Sequence, residues 1–420
     1  MAKKQNKKST QYLKSVIRDI VHVIFTEFRT LIRDRGVVIM LVVAPLAYPL
    51  LYCSLYMNET LTDVPVAAVD LSHSPESREL LRNMDATQNL KIEYGYGSLA
   101  EAEQAFYDKK VHGVVYIPSD FGKKLVDGEQ ATVSVYSDIS SFMYYRIISQ
   151  ASTNCILAAG AKVKAERLAA NGITGEAAVI AMDPIPTVGT PLFNEGAGFA
   201  SFLVPIILIL IIHQTLFLGI GMHAGTSREE NRFHEFVSFA VHRNSTVKVV
   251  LGKSLTYFLM YGAWSFFVLG VIPRIFNLPH IGLTSDIIKF MIPFLFATVF
   301  FSMTISVFLP NRETSLMLFM FFSLILVFTS GVPWPQSNIN IFWKIFAWMI
   351  PSSSGVQSYV KVNTMGATIR EIRYEYVSMW IQTGLYFLTT CLAYRWQIKK
   401  SIKNSGGDTT AEVTMNPVEQ

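Results

Sequence analysis

The sequence predicts an α-helical polytopic membrane protein with six transmembrane helices and an α/β domain inserted between the first and second of them. Three observations carry this prediction. The chain of 420 residues is 51% hydrophobic and only 16% charged, whereas soluble domains carry about a quarter charged residues. Apolar runs long enough to cross a bilayer recur along it. Between residues 58 and 198, short β-rich segments alternate with amphipathic ones instead.

Residues 1–36 are predicted to form a basic cytoplasmic tail followed by an interfacial amphipathic helix. Apolar residues recur there every three or four positions against charged ones, as in a helix that lies in the membrane surface. These apolar residues are Leu13, Ile17, Ile20, Ile24, Phe28 and Leu31. The first span, residues 37–57, follows directly. It is too long and too far from the start to be the apolar core of a signal peptide.

Residues 58–198 are predicted to form an extracytoplasmic α/β domain. Strands are expected at 64–70, 90–96, 112–117 and 132–136, and helices at 75–84, 99–109, 119–126 and 142–170. Such alternation is typical of a layered α/β domain. The segment is also long enough to bury a core of its own.

The other five spans lie within residues 199–396, and residues 397–420 form a cytoplasmic tail. The spans are expected at 199–222, about 249–272, about 290–309, 315–332 and about 376–396. Residues 341–350 are apolar and aromatic but too short to cross, and Pro335 and Pro351 bound them. Residues 333–360 are therefore predicted to form re-entrant half-helices, with tryptophans in the headgroup belt. These are Trp334, Trp343 and Trp348.

A short charged segment after the second span, residues 227–240, is predicted to begin a new helix. Thr226 with Glu229, and Ser227 with Glu230, have the spacing of a capping box. The segment also carries a helical apolar stripe, formed by Phe233, Phe236, Val237 and Ala240. Such a helix can transmit force from a protein docked outside the membrane. An ordinary loop helix on the lipid headgroups is the alternative interpretation.

The distribution of Lys and Arg predicts the orientation. Short segments on the side of the two termini carry a clear excess of basic residues over the short loops on the other side. Both termini and residues 227–240 are therefore predicted to be cytoplasmic, and the α/β domain to lie outside.

The chain shows no pattern for a nucleotide, metal or nucleophile site of its own. Gly252-Lys253-Ser254 resembles the end of a phosphate-binding loop, but Val247 occupies the position of the loop's first glycine. The histidines form no metal-ligand pattern, and no basic and aromatic blocks indicate nucleic acid. Three cysteines imply no disulfide framework. We expect no cofactor bound by this chain and an energy source in another polypeptide.

His213 and Gln214 are the polar pair within the second span. Polar groups inside a membrane are functional candidates, although hydrogen bonding between helices explains such a pair equally well. The spans carry no acidic residue near the middle of the membrane, and the chain shows no internal repeat. Both observations disfavour a secondary carrier.

Several stretches, taken in order, resemble the permease subunit of type-2 ABC exporters, and in particular bacterial multidrug or lipid-efflux permeases with a large extracytoplasmic domain. The stretches are residues 27–50, 64–81, 113–125, 193–205, 227–230 and 330–335. The chain departs from the family pattern at two places. It has Glu230-Asn-Arg-Phe where members often have Glu-Arg-Gly-Thr, and Phe193-Asn194-Glu195 where they have Tyr-Asn-Pro.

The resemblance implies a multi-pass protein of the bacterial inner membrane that forms a homodimer, or a heterodimer with a similar permease, among membrane lipids. Each half would bind a cytoplasmic ABC ATPase that uses ATP and Mg, and a periplasmic adaptor would join where an outer membrane exists. Residues 227–240 would be the coupling helix. The residues expected to contact the ATPase are Arg228, Glu229, Glu230, Arg232, Phe233 and Phe236.

The predicted function is export of an amphipathic, drug-like or lipid-like substrate through a cleft at the dimer interface. Spans one, two and five would line the cleft, and the candidate residues of the substrate path are His213, Gln214, Phe319 and Phe322. Packing against lipid explains the run 319–322 equally well. The main alternative function is a membrane-anchored scaffold or receptor that presents the α/β domain to a partner and needs no ATPase.

Overall fold

The computed structural model describes residues 2–57, 59–186, 189, 192–194, 196, 198–230, 246–331 and 334–413, with the backbone alone for 2–13 and 401–413. The chain divides into two compact units. We call Asn58–Pro191 the α/β unit, and Met1–Met57 together with Leu192–Gln420 the helical unit.

In its described residues the α/β unit contains four strands and five helices, of which the four strands and the first four helices follow the predicted order, whereas the sequence does not predict the fifth helix. In chain order they are β1 (Val64–Asp70), α4 (Pro75–Asp85), β2 (Leu90–Glu93), α5 (Leu99–Tyr107), β3 (Gly113–Ile117), α6 (Phe121–Val126), β4 (Ser134–Ser137), α7 (Phe142–Ala170) and α8 (Glu176–Met182). The sheet has the strand order β2-β1-β3-β4. β1 pairs in parallel with β2 and β3, and β4 closes one edge antiparallel to β3.

The central strand β1 is apolar on both faces because helices cover both. Val66 and Ala68 pack in one cluster with residues of α4 and α7. Ala67 and Val69 pack in a second cluster with residues of α5. A continuous apolar run of this kind is typical of a strand in a parallel sheet that is covered on both sides.

The helical unit is built from helices that are interrupted at three places by π-helical turns. In chain order the helices are α1 (Ala2–Arg33), α2 (Arg35–Val38), α3 (Ala44–Leu55), α9 (Phe199–Glu229), α10 (Thr246–Phe266), α11 (Ile272–Ile275), α12 (Thr284–Ser306), α13 (Arg312–Thr329), α14 (Ile341–Met349), α15 (Pro351–Tyr359) and α16 (Arg373–Val413). The π-helical turns are Ile39–Val43, Phe267–Val271 and Val360–Thr364, and Gln336–Asn338 is a 3-10 turn.

Within the described part of the chain, five helical stretches are long and apolar enough to span a membrane. They are Arg35–Leu55, Phe199–Glu229, Thr246–Ile275, Thr284–Ser306 and Arg312–Thr329. The last predicted span, residues 376–396, lies within α16 and is not one of the five. α16 packs along α12, where the Thr390 hydroxyl donates to the Phe300 carbonyl at 2.9 Å and lies 2.8 Å from that of Thr304.

The core of the helical unit lies around α9. The most apolar stretch of α9 is 83% buried, whereas that of α13 is only 17% buried. The predicted start of a new helix at residue 227 is wrong, because α9 continues without a break to Glu229. Neither capping box forms. The Glu229 carboxylate accepts from the backbone N–H of Arg312 instead of from a helix start of its own.

Residues 333–360 contain two short helices, α14 and α15, which meet at Ile350 and Pro351. The proline ring fits the first turn of a helix but cannot continue the preceding one, so the chain bends there. α15 is buried along its whole length except at Gln357, and Gly355 gives α9 and α12 room to approach it.

Replacing Gly355 by valine is expected to destabilise the helical unit. A β-carbon at this position would collide with the Phe294 ring and lie 3.3 Å from Ile209. Overpacking of this kind costs about 1–3 kcal/mol, which should lower the melting temperature of the detergent-solubilised protein. Gly384→Val is the matched control, since Gly384 is also helical but a β-carbon added to it would meet no atom within 4 Å. Equal melting temperatures for the two variants would contradict the expectation.

Candidate coupling interface

Helix α1 packs along α10 through a face that shares only Leu31 with its predicted apolar stripe. Its buried residues recur every four positions, and they are Asp19, Val23, Glu27 and Leu31. Gly252 of α10 allows the close approach, since a β-carbon there would lie 2.6 Å from the side chain of Val23. Ile17 and Phe28 of the predicted stripe are half-exposed. α1 therefore has one face for α10 and another that remains apolar and open.

The centre of the α1–α10 contact is a cluster that we call the Glu27 cluster, formed by Glu27, Lys253, Tyr257 and His223. Glu27 is 0% exposed. Lys253 Nζ lies 3.0 Å from Glu27 Oε1 and 2.9 Å from Oε2. The Tyr257 hydroxyl donates to Oε1 at 2.9 Å, and His223 Nε2 of α9 lies 3.5 Å from the same oxygen. The cluster thus joins α1, α10 and α9.

The Glu27 carboxyl is held in its charged form. Burial raises its pKa, but the charge and hydrogen bond of Lys253, together with the nearby His223, outweigh this effect, so the pKa lies well below its ordinary value of 4.5. A carboxyl with a lowered folded-state pKa stabilises the fold above its ordinary pKa, and this contribution is lost only as the pH falls through the lowered value. The pair therefore persists at neutral and mildly acidic pH.

A second ion pair lies two turns earlier on α1. Lys248 Nζ of α10 is 3.0 Å from Asp19 Oδ2, and both side chains are largely buried. Acids on α1 thus face lysines on α10 at two levels. Together with the Glu27 cluster, this pair fixes the register of α1 along α10.

The end of α9 is tied to the break between α12 and α13. Arg228 donates from Nη1 to the Leu309 carbonyl. Glu229 Oε1 accepts from the Arg312 backbone N–H at 2.9 Å. A β-carbon on Gly225 would lie 2.7 Å from the Arg312 nitrogen, so the two backbones are in direct contact. Any displacement of the α9 end must therefore be transmitted to the break.

Asp34 connects the same break to the junction of α1 and α2. Its Oδ1 accepts from the backbone N–H groups of Gly36 at 3.0 Å and Val37 at 3.2 Å, which caps α2. The same oxygen lies 3.5 Å from Arg312 Nη1. Burial raises the pKa of Asp34, but the N–H of Val37 and the other donors, with the charge of Arg312, lower it overall.

Of the six residues predicted to contact the ATPase, three lie among the residues that the structure describes and three do not. Arg228 and Glu229 bind within the helical unit, as described above, and Glu230 is the exposed C-terminal cap of α9. Arg232, Phe233 and Phe236, with the rest of the predicted coupling helix from residue 231 onward, lie outside the described residues.

The candidate substrate-path residues lie in or against the packed core of the helical unit. His213 is 0% exposed, its ring centroid is 5.9 Å from that of Phe301, and neither ring nitrogen has a hydrogen-bond partner in the described structure. Phe319 and Phe322 are partly buried against the same core. Gln214 is half-buried. The exposed apolar face of α13 lies on other positions, which are Met317, Met320, Phe321, Leu324 and Phe328.

Sequence reasoning missed the Glu27 cluster. A signal existed in the sequence, since Asp19 and Glu27 are eight residues apart on α1. The lysines that they bind are five residues apart on α10. The sequence pattern presents Lys253 only as part of a phosphate loop, whereas it lies within α10 and binds Glu27. Among the residues that the structure describes, no group of three or more metal-binding side chains comes together.

One protein-family model matches the chain. Its description is "ABC-2 family transporter protein", and it matches residues 35–392. The matched range begins after α1. It therefore includes Lys253, Tyr257 and His223 of the Glu27 cluster but not Glu27 itself. No curated protein matched the sequence significantly.

Replacing Glu27 by glutamine is expected to destabilise the helical unit, because the ammonium of Lys253 would stay buried without its counter-charge. Breaking one side of a buried pair costs about 3–5 kcal/mol. Thermal unfolding followed by tryptophan fluorescence is a suitable measurement, since all six tryptophans lie in the helical unit.

Adding Lys253→Met to Glu27→Gln should restore most of the lost stability, because no unpaired charge then remains. The matched control is Arg373→Gln, which removes an exposed basic side chain of the same unit and should cost little. A single Glu27→Gln variant as stable as the control would refute the role of the cluster.

Proposed function

Because this chain belongs to the ABC-2 family of transporter proteins, we propose that it is the permease subunit of an exporter driven by a separate cytoplasmic ATPase. The family is a membrane transport component without a nucleotide-binding domain and implies an ABC ATPase as partner. The proposed substrate is an amphipathic, drug-like or lipid-like molecule. The proposed location is the bacterial inner membrane, with both termini in the cytoplasm.

The observation that carries the proposal is the attachment of the α9 end to the rest of the helical unit. The ATPase would bind residues 227–240. Movement of this segment would displace the end of α9, and Arg228 and Glu229 would transmit the displacement to the break between α12 and α13. The contact between Arg312 and Asp34 would transmit it further, to the start of the first span. This network offers a physical path from an external motor to the spans.

The Glu27 cluster supports the same proposal. α1 is bound to α10 by buried charges rather than resting loosely on the membrane. An ATPase that binds α1 as well as residues 227–240 would therefore act at two places on one network of contacts within the helical unit. Lys253, whose ammonium is bound to Glu27, is not available to a nucleotide phosphate, which agrees with an ATPase on another chain.

The proposed transport pathway requires a second permease, either an identical copy or a similar chain. α13 and Arg35–Leu55 are the least buried of the five candidate spans, and both show apolar faces. In the proposal, these faces meet the second copy, and closure of the ATPases opens and squeezes the cleft between them. The proposed topology has six membrane crossings, and α16 forms the last of them.

In a bacterium with an outer membrane, the α/β unit would bind a periplasmic adaptor.

A first test separates ATPase docking from transmission. Phe236→Asp should remove an apolar anchor from the docking surface and reduce recovery of the ATPase with the tagged permease by about tenfold or more. Glu229→Ala should leave the ATPase bound but weaken transmission, because it cuts the link to Arg312. The measurements are co-purification in mild detergent and ATP-dependent export of a fluorescent amphiphile from proteoliposomes.

Arg373→Gln is the control for this test, since it lies on an exposed basic position at the start of α16, far along the chain from the docking segment. It should retain both binding and export. Full coupling in both the Phe236→Asp and Glu229→Ala variants would refute the proposal. Recovery of the chain without any ATPase would favour the scaffold or receptor alternative.

A second test addresses orientation. The three cysteines, Cys53, Cys155 and Cys391, have no disulfide partner and are replaced by alanine. Single cysteines are then introduced at Tyr107, which is 77% exposed on the α/β unit, and at Glu230. A membrane-impermeant maleimide should label Tyr107→Cys in intact spheroplasts and Glu230→Cys only after permeabilisation. Labelling of both from the same side would overturn the proposed topology.

A further inference from the structure

The lining of a groove between α10 and α12 includes no residue of the Glu27 cluster and no candidate residue of the substrate path, although its Phe258 directly follows Tyr257 of that cluster. The groove encloses about 200 Å³ and is lined by residues from Phe258 to Arg274 on one side and from Thr284 to Leu295 on the other. Its rim consists of exposed apolar side chains, among them Phe266, which is 68% exposed, and Ile288. In a protein that crosses the membrane, such a rim faces the acyl chains of the bilayer.

Two glycines keep the floor of the groove open. A β-carbon added to Gly262 or to Gly270 would meet no atom within 4 Å, so the space beside both residues is empty of protein. The π-helical turn Phe267–Val271 forms part of the groove wall, since Leu269, Gly270 and Val271 line the groove. Leu269, Met291 and Leu295 supply an apolar lining. The groove therefore offers a dry surface of irregular shape that the protein itself does not fill.

The groove is longer than one leaflet but shorter than the whole hydrocarbon core of a bilayer. Phe258 and Arg274 are separated by about 24 Å of helix rise, and Thr284 and Leu295 by about 17 Å. The hydrocarbon core of a bilayer is about 30 Å thick, so one leaflet is about half of that. A groove of this length accepts the chain of one lipid and does not continue through the membrane.

One end of the groove is polar and carries a positive charge. Arg274, His280 and Thr284 line it there. His280 Nδ1 is held by Asn363 Oδ1 at 2.5 Å. Asp286, the carboxylate on the neighbouring turn of α12, is already paired with Lys289 at 3.0 Å. In the described structure, Arg274 has no ion-pair partner, so its guanidinium is available to an anion.

We propose that this groove is a binding site for an anionic membrane phospholipid. One acyl chain lies along Gly262 and Gly270, and the headgroup phosphate pairs with the Arg274 guanidinium at the polar end. Both the length of the apolar floor and the placement of one unpaired cation at its end fit this ligand. An uncharged acyl chain would not pair with Arg274, and a small soluble anion would not cover the apolar floor. The site lies within one permease chain and needs neither the ATPase nor a second copy.

The site can be tested on the full-length protein, purified in detergent and delipidated. The probe is an equimolar mixture of phosphatidylglycerol and phosphatidylcholine with identical chains, and bound lipid is measured by native mass spectrometry. A photoreactive phosphatidylglycerol identifies the peptides that it contacts. The wild-type protein should prefer phosphatidylglycerol by about fivefold, as expected for one Arg near a lipid headgroup. Crosslinks should fall within residues 258–295.

Three variants at two positions address the two halves of the site. Arg274→Gln should bring the ratio of the two lipids close to one, while Arg274→Lys should keep most of the preference. Gly262→Leu should fill the floor and reduce binding of both lipids. The matched controls are Arg373→Gln and Gly384→Leu, an exposed basic residue and a helical glycine outside the groove. Both controls should bind lipid as the wild type does.

Three outcomes would overturn the proposal. They are an unchanged lipid ratio in Arg274→Gln, undiminished lipid binding in Gly262→Leu, and displacement of phosphatidylglycerol by glycerol 3-phosphate at equal concentration. The last outcome would identify a site for a free phosphate group and not for a lipid. Each variant is first checked for a single peak in size-exclusion chromatography and a wild-type melting temperature. Export activity is not part of the readout, so failure here and failure of the proposed transport function are distinguishable.

Discussion

The buried carboxylate of Glu27 is the interaction on which the arrangement of the helical unit depends. A charge that is removed from water must be paired, or it destabilises the fold by several kcal/mol. Lys253, Tyr257 and His223 meet this requirement only if α1, α10 and α9 keep one relative register. The contact therefore constrains the position of α1, since charge-assisted hydrogen bonds require definite distances and directions.

This pairing changes what an interfacial helix can do. A helix held to the membrane only by its apolar face can tilt and roll without effect on the spans. α1 instead presents its half-exposed Ile17 and Phe28 on one side while Asp19 and Glu27 bind α10 on another. Asp34 then ties the end of α1 to the break between α12 and α13, where the end of α9 also binds. Four separate parts of the chain thus meet in one connected network.

Composition and periodicity predict the parts of the fold that depend on local pattern. The strands and helices of the α/β unit lie close to the predicted ranges, because each apolar segment is buried in the way that its pattern indicates. The predicted break before residue 227 is wrong, because Thr226 and Glu229 have capping-box spacing but Glu229 finds its partner on a distant segment. The Glu27 cluster could not be predicted, since Glu27 is more than 190 residues from its partners and only tertiary packing brings them together.

The substrate-path residues also show what local sequence pattern cannot predict. His213 is a candidate because polar groups within spans are often functional, yet aromatic rings of the core surround it. A side chain in a span can face lipid, a second protein, a cavity or the core of its own chain, and hydropathy does not distinguish these environments. The exposed positions of α13 are visible only once its packing against α9 is known.

Helix α10 combines the two features that are least expected from its apolar sequence. Lys248, Lys253 and Tyr257 bind α1 near its beginning, and the groove extends from Phe258 of α10 through the π-helical turn to Arg274 of α11. About 31 Å of helix rise separates Lys253 from Arg274, which is the thickness of the hydrocarbon core. One end of this helical stretch is thus fixed by buried charges, and the other end carries the proposed lipid site.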